Sequence, residues 1–538
     1  MEKQHKNNIL NNISMNTYLG QKGYTINKSE LTIEKQVKIR NDLMIKPFVI
    51  GSHLNDTKTF PAYRESHNKF YVPHYYGVEH FGPPKQYKIS EGIEINLEFS
   101  GKLRENQEIV VNTYLNHVKK VGFGGGLLEL PCAYGKTVLS LNIISQLKKK
   151  TFIIVHKEFL MNQWIERIEQ FLPAARVGKI QGPIIDVDDK DIVIGMLQSL
   201  SMKEYPASIF ESFGLTIIDE VHHISSEVFS NSLFKLVTKY MLGLSATMNR
   251  KDGTTSVFKM FLGDIIFKGK RDEERAVTVR AIEYYVDDDD FNEVKLDYRG
   301  KPQYSTMISK LCEYNRRSEF VLKVLSDMLK ENPNQQVMIL AHNKNLLKYL
   351  HDAVAHRNIA NVGYYVGGMK ESALKETESK KVVIATYAMA AEALDIKTLT
   401  TLIMATPKTD IEQSVGRILR EKHSSPIVVD IVDSHDLFKN QWRKRKIFYK
   451  KENYKIIYTI STEYTTDLST WTLVYDPNPK GQRECKPKKK KTISVKSNSS
   501  SEKSITNDSE SEDENDEPEP ASKKAGKIAD DVCYLKIK

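Results

Sequence analysis

Two stretches of this chain alternate short, uninterrupted apolar runs with longer runs that are apolar on one side only. That alternation restricts the fold more than any other feature. Leu127 to Pro131, Thr151 to Val155, Asp191 to Met196 and Leu215 to Ile218 have almost no polar face. Strands of this kind are buried on both sides, as in parallel sheets covered by helices. Between them, Val138, Leu139, Leu141, Ile144 and Leu147 recur at helical spacing, and Phe159 to Leu172 places Trp164, Ile165 and Ile168 on one side. The plan repeats downstream. Gln336 to Leu340, Val382 to Thr386, Thr401 to Ala405 and Pro426 to Ile431 read as strands, with helical patterns at Phe320 to Leu329, Leu346 to Ala355 and Ile411 to Leu419. The expected fold class is α/β, with two doubly wound parallel-sheet domains in tandem. Such a pair leaves a cleft at the C-terminal strand edges, where ligands bind.

The flanks differ. Residues 1–95 form a small mixed N-terminal accessory domain with an aromatic-rich stretch from Phe60 to Tyr87, read either as a small β-rich core or as base-stacking groups. The two α/β domains are assigned to 96–270 and 271–455, a short extension to 456–479, and a disordered charged tail to 480–538. Lys486 to Lys491 is nearly all basic and Asp508 to Glu519 holds eight acids and no base, a composition that cannot bury a core. With 40% hydrophobic residues among 538, the chain as a whole builds real cores. The net charge is +10; the tail's 14 bases and 12 acids leave 1–479 at +8, which suits a polyanion partner and also many ordinary enzymes. Cys132, Cys312, Cys485 and Cys533 are far apart, which argues against a zinc ribbon or a disulfide scaffold and for a reducing, intracellular setting. Met1 to Asn12 is polar, so no secretory signal is expected, and no apolar run reaches membrane-spanning length.

Three segments carry chemistry. Leu130-Pro131-Cys132-Ala133-Tyr134-Gly135-Lys136-Thr137 follows a strand and opens a helix, the setting of a phosphate-binding loop. Backbone N–H groups there cradle phosphates, Lys136 meets the β/γ oxygens of ATP, and Thr137 ligates Mg²⁺. Leu130 stands where the full pattern wants Gly. The second segment, Ile217-Ile218-Asp219-Glu220-Val221-His222-His223, puts acids at the end of a buried strand, where an unpaired carboxylate is costly. Asp219 can hold Mg²⁺ through water and Glu220 can orient or deprotonate the attacking water; taken alone, a solvated turn is the simpler reading. Zinc is not expected at His222 and His223, because adjacent side chains do not converge on one ion and no cysteine is near. The third segment, Gln413-x-x-Gly416-Arg417-x-x-Arg420, places two guanidiniums on one helix face, able to stabilise charge on a transferring phosphoryl group. Gly416, immediately before Arg417, weakens the alternative of a plain solvated helix.

Taken in order, these motifs resemble the superfamily 2 helicases, specifically the branch that includes the XPB repair and transcription helicase. The likeness spans roughly 95–455. It implies two RecA-like domains, a DEXH box at Asp219 to His222, a third motif at Leu244-Ser245-Ala246-Thr247, an Arg-Glu-Asp-like element at Arg250-Lys251-Asp252 and a fifth motif at Glu392-Ala393-Leu394-Asp395. Leu103, Arg104 and Gln107 lie where that family reads adenine. Phe60 to Ser66, Tyr75-Tyr76-Gly77, Asp430 to Asp433 and Gln441 to Arg445 are similar to the giant-virus helicases related to the poxvirus transcript-release DNA helicase. That likeness implies a DNA-dependent ATPase, 3′ to 5′ unwinding, a role in viral transcription or in repair alongside the transcription machinery, and a location in host cytoplasm or virion; the basic tail would serve a nuclear one. Ala133 and Ala393 replace glycines usual in the family, and neither exchange removes a catalytic group.

The resemblance implies ATP held by Lys136, Thr137 and Asp219 on one wall and by Arg417 and Arg420 on the other, with Ser245 and Thr247 linking this site to nucleic acid. His156-Lys157 and Gln198-Ser199 resemble the family's track motifs. The helix Asp436 to Tyr454, with Lys439, Arg443, Lys444, Arg445, Lys446, Lys450 and Lys451 among Trp442, Phe448 and Tyr449, is read as either a single-strand contact or a solvated face. An RNA helicase and a non-catalytic nucleic-acid-binding scaffold are the alternatives; the intact site argues against the scaffold.

Overall fold

The uninterrupted apolar runs become inner strands of two parallel sheets. The computed structural model describes residues 16–47, 59–131, 134–223, 226–248, 253–269, 277–392, 396–418 and 426–477. In the first sheet the strands lie side by side as Ile184–Ile185, Val177–Gln181, Ile192–Met196, Thr151–Val155, Leu215–Ile218, Tyr240–Ser245, Gly124–Glu129 and Ile265–Lys268. All neighbours are parallel except the two-residue edge piece Ile184–Ile185. Thr151–Val155 and Leu215–Ile218 are buried along their whole length, as strands covered by helices on both faces must be. Glycines hide one strand from a periodicity reading. A Cβ on Gly125 would meet the Leu262 carbonyl oxygen at 2.7 Å, and one on Gly126 would meet Ile266 at 2.7 Å, so Gly124–Glu129 fits between its neighbours only without side chains there.

The second sheet runs Val362–Tyr365, Val382–Thr386, Gln336–Ala341, Leu399–Met404, Ile427–Asp433, Thr278–Tyr284, Lys455–Ile460 and Thr472–Tyr475. Only the last pairing is antiparallel. The fold is thus the tandem doubly wound α/β architecture. One expectation is corrected: 456–479 is not a mere extension, because Lys455–Ile460 and Thr472–Tyr475 add two strands to this sheet. Ile456 and Ile457 are buried there.

Strand Ile427–Asp433 carries two buried aspartates at odd separation, so they point to opposite faces. Asp430 takes two hydrogen bonds of 2.8 Å from Arg445, on the helix Asp436–Lys451, and one from the Tyr449 hydroxyl. Asp433 takes a fork from Arg317, on the helix Asn315–Glu331 packed against the other face. This corrects the basic-helix reading in part. Trp442, Arg445 and Tyr449 face the core, because Arg445 is spent on a buried carboxylate, while Arg443, Lys444, Lys450 and Lys451 remain on the exposed side.

The N-terminal region forms a five-stranded mixed sheet, Arg64–Glu65, Lys69–Val72, Gly23–Asn27, Tyr18–Gly20 and Gln86–Lys88. Phe70 and Tyr76, from the aromatic stretch, are buried in its core with Leu19, Tyr24, Ile26 and Val72, which favours the core reading for these two over base stacking. The charged tail lies outside the described residues. Among the described residues no helix is long and apolar enough to cross a membrane.

Removing one partner of a buried pair leaves an uncompensated charge. Arg445→Met is therefore expected to cost about 3–5 kcal/mol in denaturant unfolding followed by circular dichroism, whereas Arg443→Met on the exposed side stays within about 0.5 kcal/mol.

Candidate active site

Strand order assembles the site. Leu215–Ile218, Tyr240–Ser245 and Gly124–Glu129 are consecutive neighbours, and their parallel C-terminal ends deliver three loops to one edge. One loop leads to Lys136, one begins at Asp219, and one continues from Ser245. Leu130 is itself fully buried, and its N–H donates to the Ser245 carbonyl at 2.8 Å, so this position serves the core rather than a phosphate. Gly135 caps the helix Lys136–Leu147 with φ +87°, and a Cβ there would sit 2.3 Å from the Gln107 amide nitrogen. Only glycine fits that turn.

Gln107 and Arg104 brace the loop from behind. The Gln107 amide and the Arg104 guanidinium both donate to the Tyr134 carbonyl, at 2.9 and 2.6 Å. The Gln107 side-chain oxygen accepts from the Arg104 backbone N–H at 3.0 Å. Of the three residues that the family resemblance assigns to adenine, Arg104 and Gln107 thus hold the phosphate loop in this arrangement.

The acids follow the expected order. Lys136 Nζ lies 2.6 Å from Glu220 Oε1. Glu220 has φ +48°, a left-handed conformation that costs a non-glycine residue about 1 kcal/mol or more, and such strain concentrates at functional sites. Asp219 is only 6% exposed. One oxygen accepts from the Glu220 backbone N–H at 2.9 Å and the other from the Trp164 indole N–H at 2.9 Å. Burial, with Glu220 next to it, pushes the Asp219 carboxyl up to about 6, against the pull of Lys136 and of those hydrogen bonds.

His222 connects three motifs. Its Nδ1 lies 2.7 Å from Ser245 Oγ and 3.3 Å from Glu220 Oε2, and its Nε2 lies 2.9 Å from Gln413 Nε2. The Ser245 hydroxyl donates to the Thr247 carbonyl, so it accepts from a protonated Nδ1. A neutral ring then has a bare Nε2, which accepts from the Gln413 amide. Gln413 belongs to the helix Glu412–Arg417 of the second sheet's domain, so this hydrogen bond joins the two lobes. Two more contacts cross between the lobes. Asn162 donates to Glu371 at 3.0 Å, and Lys375 pairs with Glu166 at 2.8 Å. Arg417 donates from Nε to the Ala390 carbonyl at 2.7 Å, within its own lobe. Cys132, Ala133, Arg250 to Asp252, Ala393 to Asp395 and Arg420 lie outside the described residues. Pro131 and Thr137 flank the loop, Thr137 in the first turn of its helix. Among the described residues no group of three or more His, Cys, Asp and Glu is placed to hold a metal ion.

Sequence reasoning missed one participant. Trp164 reads as an ordinary core residue of an amphipathic helix, and its nitrogen's target is visible only in three dimensions. His222 falls in the DEXH box that the resemblance implies, while its partners Ser245 and Gln413 emerge only from the fold.

The family profile described as Type III restriction enzyme, res subunit, matches residues 100–250, from the Arg104–Gln107 brace through the third motif. A protein of Acanthamoeba polyphaga mimivirus, named as an ATP-dependent RNA helicase, is 34% identical over 478 residues, covering 86% of this chain and 90% of that protein. A protein of Invertebrate iridescent virus 6, named as a helicase, is 27% identical over 387 residues, covering 67% of this chain and 85% of that protein. Among solved structures, the helicase domain of Pyrococcus furiosus Hef covers 64% of this chain and 98% of its own at 12% identity, with a TM-score of 0.44. The chain belongs to the superfamily 2 helicases. As such it is an ATP-hydrolysing enzyme that binds nucleic acid.

Gly135→Ala combines left-handed strain with displacement of the Gln107 amide, and is expected to weaken ATP binding at least tenfold in calorimetric titration, with the unfolding temperature nearly unchanged. Gln413→Ala removes the bond across the lobes and is expected to lower nucleic-acid-stimulated hydrolysis by about tenfold with ATP affinity kept, read by steady-state kinetics against nucleotide binding.

Proposed function

We propose that this protein is a DNA translocase of 3′ to 5′ polarity, working with a transcription machinery in transcript release or in repair. The observation that carries the motor reading is a run of close polar contacts: Lys136 pairs with Glu220, Glu220 lies 3.3 Å from His222, and His222 hydrogen-bonds Gln413, which ties a phosphate-binding loop in one lobe to the other lobe. ATP bound at the loop gives the Lys136 ammonium a better partner than Glu220. Released from that pair, Glu220 accepts the proton of the attacking water. Arg417 exchanges the Ala390 carbonyl for phosphate oxygen and, with Arg420, stabilises the charge that develops there. His222 reports the state of Glu220 to Gln413, so lobe contact changes with hydrolysis.

Magnesium fits the donor set. The Thr137 hydroxyl and the Asp219 carboxylate, the latter aimed by two N–H donors, are the hard oxygen ligands such an ion takes. When bound it would neutralise charge on the β- and γ-phosphates. On the nucleic-acid side, the Gln198 amide donates to the His156 carbonyl at 2.9 Å, so two segments that follow first-domain strands act as one surface. Phosphate contacts along such a surface need only hydroxyls, amides and cations.

RNA is the second reading. The mimivirus relative carries the designation RNA helicase, as do African swine fever virus proteins 28% identical over 385 residues. ATP hydrolysis measured side by side with duplex DNA, single-stranded DNA and RNA separates the two. DNA is expected to stimulate and RNA not to; the reverse would replace the DNA proposal with the RNA one. Lys136→Ala is expected to reduce hydrolysis at least a hundredfold, and turnover surviving that exchange would end the motor reading.

A further inference from the structure

The side chain that aims the Asp219 carboxylate comes from neither acid motif nor phosphate loop. Trp164 lies in the middle of the helix Glu158–Phe171, packed in the first domain's core with Ile153 and Ile217. It is 1% exposed, so its indole N–H must find an acceptor inside the protein. A phenylalanine would fill that core without creating the demand. The acceptor it finds is not a backbone carbonyl but Asp219 Oδ2, at 2.9 Å. The Glu220 backbone N–H takes Oδ1, so each carboxylate oxygen has one fixed donor and the plane of the group is set.

We propose that Trp164 is a positioning residue for the divalent cation of ATP hydrolysis: its indole N–H fixes the rotation of the Asp219 carboxylate, so that the remaining lone pairs are presented to the cation's water shell. This rests on the reading that Asp219 holds magnesium. Partners that orient a metal's ligand from behind are worth about 10–100-fold in metal affinity when removed. Trp164→Phe keeps the ring and deletes only the donor. The cation requirement therefore changes while the chemistry at full occupancy is preserved.

The test uses the full chain labelled with [15N]tryptophan, which has three indole N–H signals, from Trp164, Trp442 and Trp471. Titration with Mg²⁺ in the presence of ADP is expected to move the Trp164 signal, assigned by its loss in Trp164→Phe or, if that variant does not fold, by elimination with Trp442→Phe and Trp471→Phe. In ATP hydrolysis, Trp164→Phe is expected to raise the half-saturating Mg²⁺ concentration about tenfold, with kcat at saturating Mg²⁺ within about twofold of the parent. A Trp164 signal that stays in place while the other two or the ADP signals report binding would overturn the inference. So would a Trp164→Phe protein with an unchanged Mg²⁺ requirement. Asp219→Asn separates the layers: if it is inactive while Trp164→Phe is indifferent to Mg²⁺, only the role of Trp164 falls, whereas normal turnover in Asp219→Asn removes the underlying reading of the carboxylate.

Discussion

A carboxylate buried at the end of a parallel strand is the constraint around which the first lobe is arranged. Taking Asp219 out of water is expensive unless N–H donors and a cation compensate. The indole of Trp164, the backbone of Glu220 and the nearby ammonium of Lys136 supply that compensation. Each source has a geometric consequence. The indole fixes the register of a helix against the sheet, the backbone donor accompanies a left-handed residue at Glu220, and the ammonium draws the phosphate loop toward the acids.

The second lobe solves a different problem by similar means. Asp430 and Asp433 lie on one strand and face opposite helical layers, so their arginines clamp the sheet from both sides. Pairs buried this deeply contribute little net stability over well-packed apolar groups. Their value lies in geometry, since a guanidinium fork accepts only one approach. The helix Asp436–Lys451 is thereby fixed in rotation, and that rotation decides which of its cations face outward.

Much of this architecture was legible from residues alone. Thr151–Val155 and Leu215–Ile218 are buried on both faces, and short runs rich in β-branched residues favour a buried strand over a buried helix. Gly124–Glu129 was placed three residues late because its glycines register close approach rather than burial. Lys455–Ile460 escaped because lysine, tyrosine and threonine interrupt its apolar pattern near a sheet edge. The loop, the acids and Gln413 stood out by spacing, yet Arg445 and Trp164 did not. Periodicity tells which face a side chain occupies; it says nothing about whether a polar atom on that side chain has found a charge.

The helix Glu158–Phe171 has a second face. While Trp164 points inward, Asn162 and Glu166, one turn apart, meet Glu371 and Lys375 of the opposite lobe. These outer groups are all solvated, and pairs of that sort are worth at most about 1 kcal/mol and fade as salt rises. These two ties between the lobes are therefore weak enough for thermal motion to undo, on a rod whose inner side is locked. For this pair of contacts, the ionic strength of the surroundings becomes a throttle on how long each grip lasts.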